Sequence, residues 1–339
     1  MIYNLNIKSK GFALVLVLWV LSLLTLMAGS FALGMRREIS ITEGIKNNAQ
    51  AAAIAESGIA IAELMLLGSE TDKINAEQDK SWRTDGSIYQ INYGDTRVRI
   101  RMLSETGKID INQADTQLLR ALFSRAPATE DDRNDPLIRV SKWVGAVMDW
   151  RDSDDTVSPN GAEKPEYQTA GLKYQPANKA FQNIEELQMV LGMNAKTFKW
   201  LEPLITVYSG QAQVDKSATR EVLSLLPDLE PGIIGQFLEA RSESAKLDKP
   251  LTFPITSKYI NGAEAEGLQS GAVTIISEAK LADGSRAAVG ALVIKSEVDP
   301  ALPFQVLKWQ RSYANEISLF STAMNELLVA QYNEPQFND

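Results

Sequence analysis

The chain of 339 residues carries 34 Lys and Arg against 43 Asp and Glu, a net charge of −9, and contains neither cysteine nor histidine. The missing cysteine excludes disulfides and thiol nucleophiles, and the missing histidine excludes a Ser-His-Asp triad and conventional zinc sites with nitrogen or sulfur ligands. A bound metal would therefore be a hard cation held by oxygen atoms. Nucleic acid is not an expected partner, because Lys and Arg drive phosphate binding and this chain is acidic overall. The length predicts about two domains.

The N-terminal segment combines a short basic leader with a long apolar run. Lys8 and Lys10 precede Gly11, and residues 12–35 contain no charge. As a helix this run would be about 36 Å long, whereas the core of a bilayer is about 30 Å thick. Three interpretations compete: a cleaved secretory signal, for which the run is too long; a plain membrane anchor; and a prepilin leader that is cut after Gly11, so that Phe12 becomes the new N-terminus.

The sequence Lys10-Gly11-Phe12 resembles the class III signal of type IV pilins and type II secretion pseudopilins. The resemblance implies cleavage after Gly11 by prepilin peptidase and methylation of the new amine on Phe12. Most members carry Glu at the fifth position after the cleaved Gly, whereas this chain carries Leu16, and that departure marks one subfamily, general secretion pathway protein K. In a filament the Glu is expected to pair with the amine of a neighbouring subunit, since a lone buried charge is costly. A subunit with no neighbour above it does not need this Glu, so Leu16 suits a tip position.

The remaining chain is predicted to form a long helix, then strands, a helical block and strands again. No proline precedes Pro127, so the helix can continue out of the membrane. Residues 87–103 alternate around a turn, which is typical of a hairpin. Three arginines on one face of this hairpin suggest an anion site, but a solvated strand face is the expected arrangement. The helical stripe predicted to pack on the sheet consists of Ile45, Ala49, Ala52, Ala53, Ile59, Ala60 and Leu64, and the arginines are Arg97, Arg99 and Arg101.

These patterns predict an α+β fold with a pilin-like long N-terminal helix packed on an antiparallel sheet. A large all-α insertion containing helix-hairpin-helix-like repeats interrupts the sheet. The predicted organisation in chain order is a leader (1–11), a transmembrane helix (12–35), a stem helix with the first strands (36–106), the inserted helical domain (107–241), the return to the sheet (242–311) and a C-terminal tail (312–339), to which we assign no role.

Two segments of the helical block, 109–123 and 213–227, resemble each other. Each begins extended, continues with Asp/Asn or Asp/Ser as the predicted helix cap, and ends in an apolar helical stripe. Residues 181–193 form a partial third copy. Hairpins of this kind hold phosphates in DNA-binding proteins, which leaves a membrane-anchored DNA-uptake protein as an alternative function. The surroundings disfavour it, because residues 129–166 contain ten acidic against five basic residues.

The densest group of chemically active side chains is a carboxylate cluster, in which five acids fall between positions 149 and 163. Such a group would repel itself unless a cation intervened, and Ca²⁺ accepts about 6–8 oxygen ligands from irregular loops. The spacing is not that of an EF-hand, and a solvated acidic loop is the alternative. A catalytic carboxylate pair would need two carboxyls held apart in a cleft, which adjacent acids on a turn do not indicate. The candidate ligands are Asp149, Asp152, Asp154, Asp155 and Glu163.

The pattern of residues 149–193 closely resembles general secretion pathway protein K. This resemblance implies a Ca²⁺-stabilised loop and a non-enzymatic minor pseudopilin at the tip of the type II secretion pseudopilus, where it helps to initiate assembly. The implied partners are minor pseudopilins of the I and J classes, the major pseudopilin, prepilin peptidase and inner-membrane lipid. The implied location is a single pass through the inner membrane with most of the chain in the periplasm.

Overall fold

The computed structural model describes residues 12–71, 82–127, 135–261, 271–296, 302–311 and 318–333. It begins with helix α1 (Phe12–Thr71) of 60 residues. The predicted continuation of the membrane segment into a stem helix is therefore confirmed, since no proline removes a hydrogen bond along it. The predicted leader, including Gly11, lies outside the described residues.

The first half of α1 is exposed, and only its second half packs on the sheet. Within the described part of the chain, α1 is the one helix long and apolar enough to cross a membrane. The predicted stripe was wrong at most of its positions: Ile59 is buried as predicted, but Ile45 is 67% and Leu64 63% exposed. Residues on several faces of α1 are small or apolar, so the sequence period did not identify the packed face. The buried positions are Ala51, Ala55, Ile59, Ala62 and Leu66.

Eight strands follow α1. They are β1 (Asp85–Tyr93), β2 (Thr96–Ser104), β3 (Ile109–Asp110), β4 (Ile205–Thr206), β5 (Ala272–Lys280), β6 (Arg286–Lys295), β7 (Phe304–Arg311) and β8 (Leu328–Asn333). Six of them form one sheet in the order β7-β6-β5-β2-β1-β8. The predicted hairpin is confirmed as β1 and β2, and Val98, Ile100 and Met102 are fully buried against α1.

The sheet is antiparallel as predicted, with one exception at its edge. Strand β8 pairs in parallel with β1, and Gln90 lies opposite Gln331. This strand belongs to the tail, for which the sequence indicated no role. The short strands β3 and β4 form a separate parallel pair.

The helical domain lies between β2 and β5, which are neighbours in the sheet. Its helices are α2 (Thr116–Ser124), α3 (Pro136–Arg151), α4 (Lys164–Thr169), α5 (Ala195–Leu201), α6 (Arg220–Leu223) and α7 (Pro231–Lys246), with a 3-10 helix at Ile184–Met189. The domain ends later than the predicted residue 241, because Ile255, Tyr259 and Ile260 belong to its apolar core. The physical boundary is therefore near residue 261.

The two predicted repeats are two copies of one unit. Each begins with an extended residue that pairs in parallel with the end of the same unit, Ile109 with Ile205 and Val214 with Ile260. The helix caps lie later than predicted, at Asp115 for α2 and Thr219 for α6. The earlier residues instead form Asx turns, which Asp and Asn favour by bonding the backbone two residues on.

The face of the sheet opposite α1 is covered by the tail, so the predicted solvated arginine face was wrong at its centre. Arg99 is only 7% exposed, and its guanidinium donates to the carbonyl of Leu319 and to Asn325 Oδ1, both at 2.7 Å. Glu278 accepts a hydrogen bond from the Leu319 amide at 2.6 Å. Buried charges require such partners, and they come from a segment 220 positions away in the chain.

Two basic side chains tie the helical domain to the sheet. Arg83, just before β1, donates to the carbonyls of Ser244 and Lys249 at the end of α7. Lys308 on β7 pairs with Glu185 at 2.8 Å and Glu202 at 2.9 Å, both in the helical domain. The insertion is thus fixed against the sheet at two separate points.

Candidate metal site

The candidate site is the loop that joins α3 to α4. Asp149 lies in the last turn of α3, and Asp152 is the residue at which the helix ends. The chain then turns through Asn160, whose φ of 63° lies in the left-handed region that Asn tolerates better than most residues. Glu163 begins α4. Four of the five predicted ligands therefore lie at helix ends or in the loop, and Asp149 lies inside the helix.

Asp149 holds this loop against α3 through hydrogen bonds. It is fully buried, and its carboxylate accepts hydrogen bonds from the amides of Ser158 at 3.1 Å and Ala162 at 2.7 Å. A carboxylate that accepts backbone amides holds a loop in one conformation. These two amides occupy part of the hydrogen-bonding capacity of the Asp149 carboxylate. Asp149 therefore shapes the loop more than it provides free oxygens for a metal.

Two glycines allow the loop to lie against α3. A Cβ on Gly145 would come 2.6 Å from the amide nitrogen of Gly161, and a Cβ on Gly161 would overlap the Asp149 carboxylate. Neither position has a positive φ, so the requirement is space rather than backbone conformation. The loop and the helix approach each other as closely as backbones can.

Four oxygen atoms at this loop are buried and have no hydrogen-bond partner among the described residues. They are both Oε atoms of Glu163, Oδ1 of Asp152 and Oδ1 of Asn178. The side chain of Asn178 donates from Nδ2 to the Asp154 carbonyl and to Asp155 Oδ1, each at 2.9 Å, which orients its oxygen. Buried polar atoms are rarely left unpaired, so each needs an explanation such as water or an ion.

The charges around Glu163 oppose its ionisation. Burial, followed by the charges of Asp149, Asp152, Asp155 and Asp154, raises the pKa of Glu163 to about 7. The pKa of Asp152 is also raised, first by burial and then by Asp154 and Asp149. A cation would relieve this repulsion and favour the ionised carboxylates.

Exposed acids of the loop have hydrogen bonds of their own. Asp154 accepts the amide of Thr156 at 2.8 Å, which lowers its pKa. Among the described residues, no group of three or more acidic side chains is arranged to hold a metal. The unpaired donors are instead two carboxylates, Asp152 and Glu163, together with the amide oxygen of Asn178.

This mixed donor set suits a hard cation, since Ca²⁺ takes carboxylate, amide and backbone oxygens together. The sequence analysis missed Asn178. Asn178 lies after Glu163 within residues 149–193, and its left-handed φ of 48° is seen only in the folded chain. Only folding brings it onto Asp154 and Asp155.

Comparison with known proteins supports one family. A family described as "Type II secretion system (T2SS), protein K" matches residues 97–210, which include the whole candidate loop. The type II secretion system protein K of Klebsiella pneumoniae is 25% identical over 232 residues, covering 66% of this chain and 69% of that protein. The protein K of Aeromonas hydrophila is 24% identical over 216 residues, covering 58% and 63%. Over this region the chain is similar to the type II secretion system protein K family.

A solved structure of the GspK-GspI-GspJ complex from enterotoxigenic Escherichia coli is also similar, at 16% identity and a TM-score of 0.43, covering 82% of this chain and 98% of that chain. These relatives support a role as a minor pseudopilin of type II secretion, and α1 is the one helix in the described part of the chain that is long and apolar enough to cross a membrane. The family is a structural part of the secretion machinery. The DNA-uptake alternative has no support from these relatives.

Proposed function

We propose that this chain caps the pseudopilus as its tip subunit and helps to initiate its assembly and protein export. The observation that carries the proposal is the position of the helical domain, inserted between neighbouring strands β2 and β5 and pinned to the sheet through Lys308. A rigid attachment of this size would collide with subunits packed around a helical filament, but it has room at the end. Leu16, which needs no partner amine, is consistent with the same place.

The leader is proposed to be removed after Gly11 by prepilin peptidase, with methylation of Phe12. The exposed apolar half of α1 then anchors the protein in the inner membrane, and the sheet and helical domain lie in the periplasm. Its proposed partners are minor pseudopilins of the I and J classes and, below them, the major pseudopilin. We propose no catalytic role, since the loop gathers unpaired carboxylate oxygens and does not arrange them around a substrate cleft.

Ca²⁺ is the proposed ligand of the loop. Asp152, Glu163 and Asn178 would supply its side-chain oxygens, with Asp154 and Asp155 beside them and Asp149 holding the loop in shape. In a chain without disulfides, such an ion would fix a loop that apolar packing leaves exposed.

The processing proposal is tested by mass spectrometry of the full-length protein, expressed with prepilin peptidase and extracted from membranes. The expected product begins at methylated Phe12, and a Gly11→Leu control should remain uncut. An intact wild-type chain, or cleavage near Ala32, would contradict the proposal. Complementation of a strain lacking the protein tests the assembly role: the wild-type chain should restore export and the Gly11→Leu chain should not.

A further inference from the structure

A row of three cations crosses the face of the sheet that lies opposite α1. Arg97 on β2 lies opposite Lys280 on β5, and Lys280 lies opposite Arg286 on β6. Side chains directly opposite each other on neighbouring strands share a face and lie close together. These three residues are called the basic row.

The charged ends of the basic row all lie near the ring of Phe320. The charged ends of Arg97, Lys280 and Arg286 each lie 6.0 Å from its centroid. Phe320 belongs to the tail segment that also covers Arg99, and cations are attracted to the face of an aromatic ring. The tail thus gathers the three charges as well as covering the centre of the sheet.

The row lacks acidic partners within the part of the chain that is described. Glu278, an acid on this face of the sheet, accepts hydrogen bonds from Ser318 and the Leu319 amide. Besides the ring of Phe320, Arg286 contacts the neutral hydroxyl of Ser318 at 3.3 Å. Arg97 is exposed, and its charge helps to lower the pKa of the neighbouring Arg99. Like charges directly opposite on a sheet are destabilising, so among the described residues the row stands uncompensated in a chain of net charge −9.

Two sources of negative charge are available to the basic row, lipid headgroups and neighbouring subunits. The height of the row above the membrane decides between them. The turn between β5 and β6 meets α1 where Asn47 donates to Asp283 at 2.7 Å. Asn47 follows Met35, the last residue of the uncharged run, by twelve positions, which corresponds to about 18 Å of helix. Headgroups add only about 5–8 Å to each side of the hydrocarbon core. The basic row therefore lies above the lipid headgroups, at a level where neighbouring subunits pass.

We propose that the basic row is a docking site for an acidic segment of a neighbouring pseudopilus subunit, with carboxylates bound between Arg97, Lys280 and Arg286. The source of that segment rests on the proposed function, but the chemistry of the site does not. Charge complementarity of this kind accelerates encounter and fixes orientation, which a tip complex requires at the start of assembly.

The first test measures binding of a fluorescent octaglutamate peptide to the full-length protein in neutral detergent. The variant R97E/K280E/R286E should bind about tenfold or more weakly, and binding to the wild type should weaken with salt, because exposed charges are screened. The matched control K142E/K173E/K249E changes net charge equally at exposed residues of the helical domain and should bind as the wild type does. If the reversal variant does not fold, R97Q/K280Q/R286Q takes its place.

Equal peptide binding by the row variant and the control would overturn the proposal. So would row-dependent binding of sn-glycerol 3-phosphate, a soluble headgroup analogue, without binding of the peptide, since the site would then serve lipid. The second test captures the I-class and J-class pseudopilins of the same system with each full-length variant. Capture by the wild type and control but not by the row variant supports the proposal, and equal capture by all three overturns it. Failure of the wild type to capture either partner would contradict the proposed function instead, while the peptide result would still decide the chemistry of the row.

Discussion

Arg151 and Arg241 occupy the same place in the two repeated units of the helical domain. Arg151, at the end of α3, donates to the carbonyls of Ile111 at 2.5 Å and Ala114 at 2.7 Å. Arg241, in α7, donates to those of Lys216 at 2.9 Å and Ala218 at 2.7 Å. In each unit the second long helix therefore uses one guanidinium to fix the turn that precedes the first helix, which explains the compactness of a domain built from short helices.

Substitution of Arg241 should cost more stability than substitution of Arg151. Only 8% of Arg241 is exposed, and burial lowers its pKa. Arg241→Met leaves two carbonyls without their donor and should reduce the free energy of unfolding by about 2–4 kcal/mol. Chemical denaturation of the full-length protein in detergent measures this. Arg220→Met, in the same unit but exposed, is the control and should change stability by about 0.5 kcal/mol or less. A similar small effect for Arg241→Met would contradict the proposed clamp.

The metal proposal predicts that pH and Ca²⁺ both change the stability of the folded protein through Glu163. The pKa of Glu163 is about 7 in the folded protein, above its ordinary value of 4.5, so the folded state binds more protons than the unfolded state between these values. Without Ca²⁺, this group makes the protein less stable as the pH rises from about 4.5 to 7. With Ca²⁺ at one hundred times its dissociation constant, stability near pH 7.5 should increase by about 2.7 kcal/mol.

Thermal melting with Ca²⁺ and with chelator, at pH 5 and pH 7.5, checks both effects. Glu163→Gln should remove this contribution to the pH dependence and most of the Ca²⁺ response. Asn178→Asp keeps an oxygen at the position missed by the sequence analysis and should retain a response, whereas Asn178→Leu should weaken it. No Ca²⁺ shift in the wild type would favour the solvated acidic loop.

The close approach of loop and helix predicts opposite outcomes at two glycines. Gly145→Ala places a methyl group 2.6 Å from the Gly161 amide, so it should lower stability by about 1–3 kcal/mol. Gly232→Ala in α7 meets no atom within 4 Å and should be neutral or stabilise by up to about 1 kcal/mol, since Ala favours helix. Denaturation of both variants gives the comparison. Equal behaviour would show that the loop can move away from α3 at little cost.

The tail is predicted to be part of the folded sheet. Leu319 is 2% exposed and packs with Ile88 and Ile276, so Leu319→Ala should cost about 2–4 kcal/mol. The control Leu302→Ala removes a side chain that is 66% exposed and should cost less than about 0.5 kcal/mol. Trp82 stacks on Tyr332 of β8 at 5.8 Å, so tryptophan fluorescence should report release of the tail in the Leu319 variant before global unfolding. Simultaneous loss of all signals would mean that the tail has no separate step.

Local chemistry made several features predictable from sequence. The uncharged run of residues 12–35, the absence of proline, the alternation around Gly94 and the acidic run after Asp149 each depend on neighbouring residues alone, and each predicts one kind of element. The interruption of the sheet by a helical block followed from the order of these patterns. The repeats were visible because each unit keeps its Asx turn and its apolar stripe.

Tertiary structure alone decided which atoms meet. The packed face of α1 was not predictable, because its small and apolar residues occupy more than one side of the helix. Arg99 is buried because a segment more than two hundred positions later lies over it, and the carboxylate loop gains Asn178 only through folding. The absence of cysteine and histidine restricted the chemistry to oxygen ligands, but long-range packing determined which oxygens are buried without a partner. The net charge of −9 likewise gave no indication of the basic row, because three cations on separate strands become neighbours only when the sheet forms.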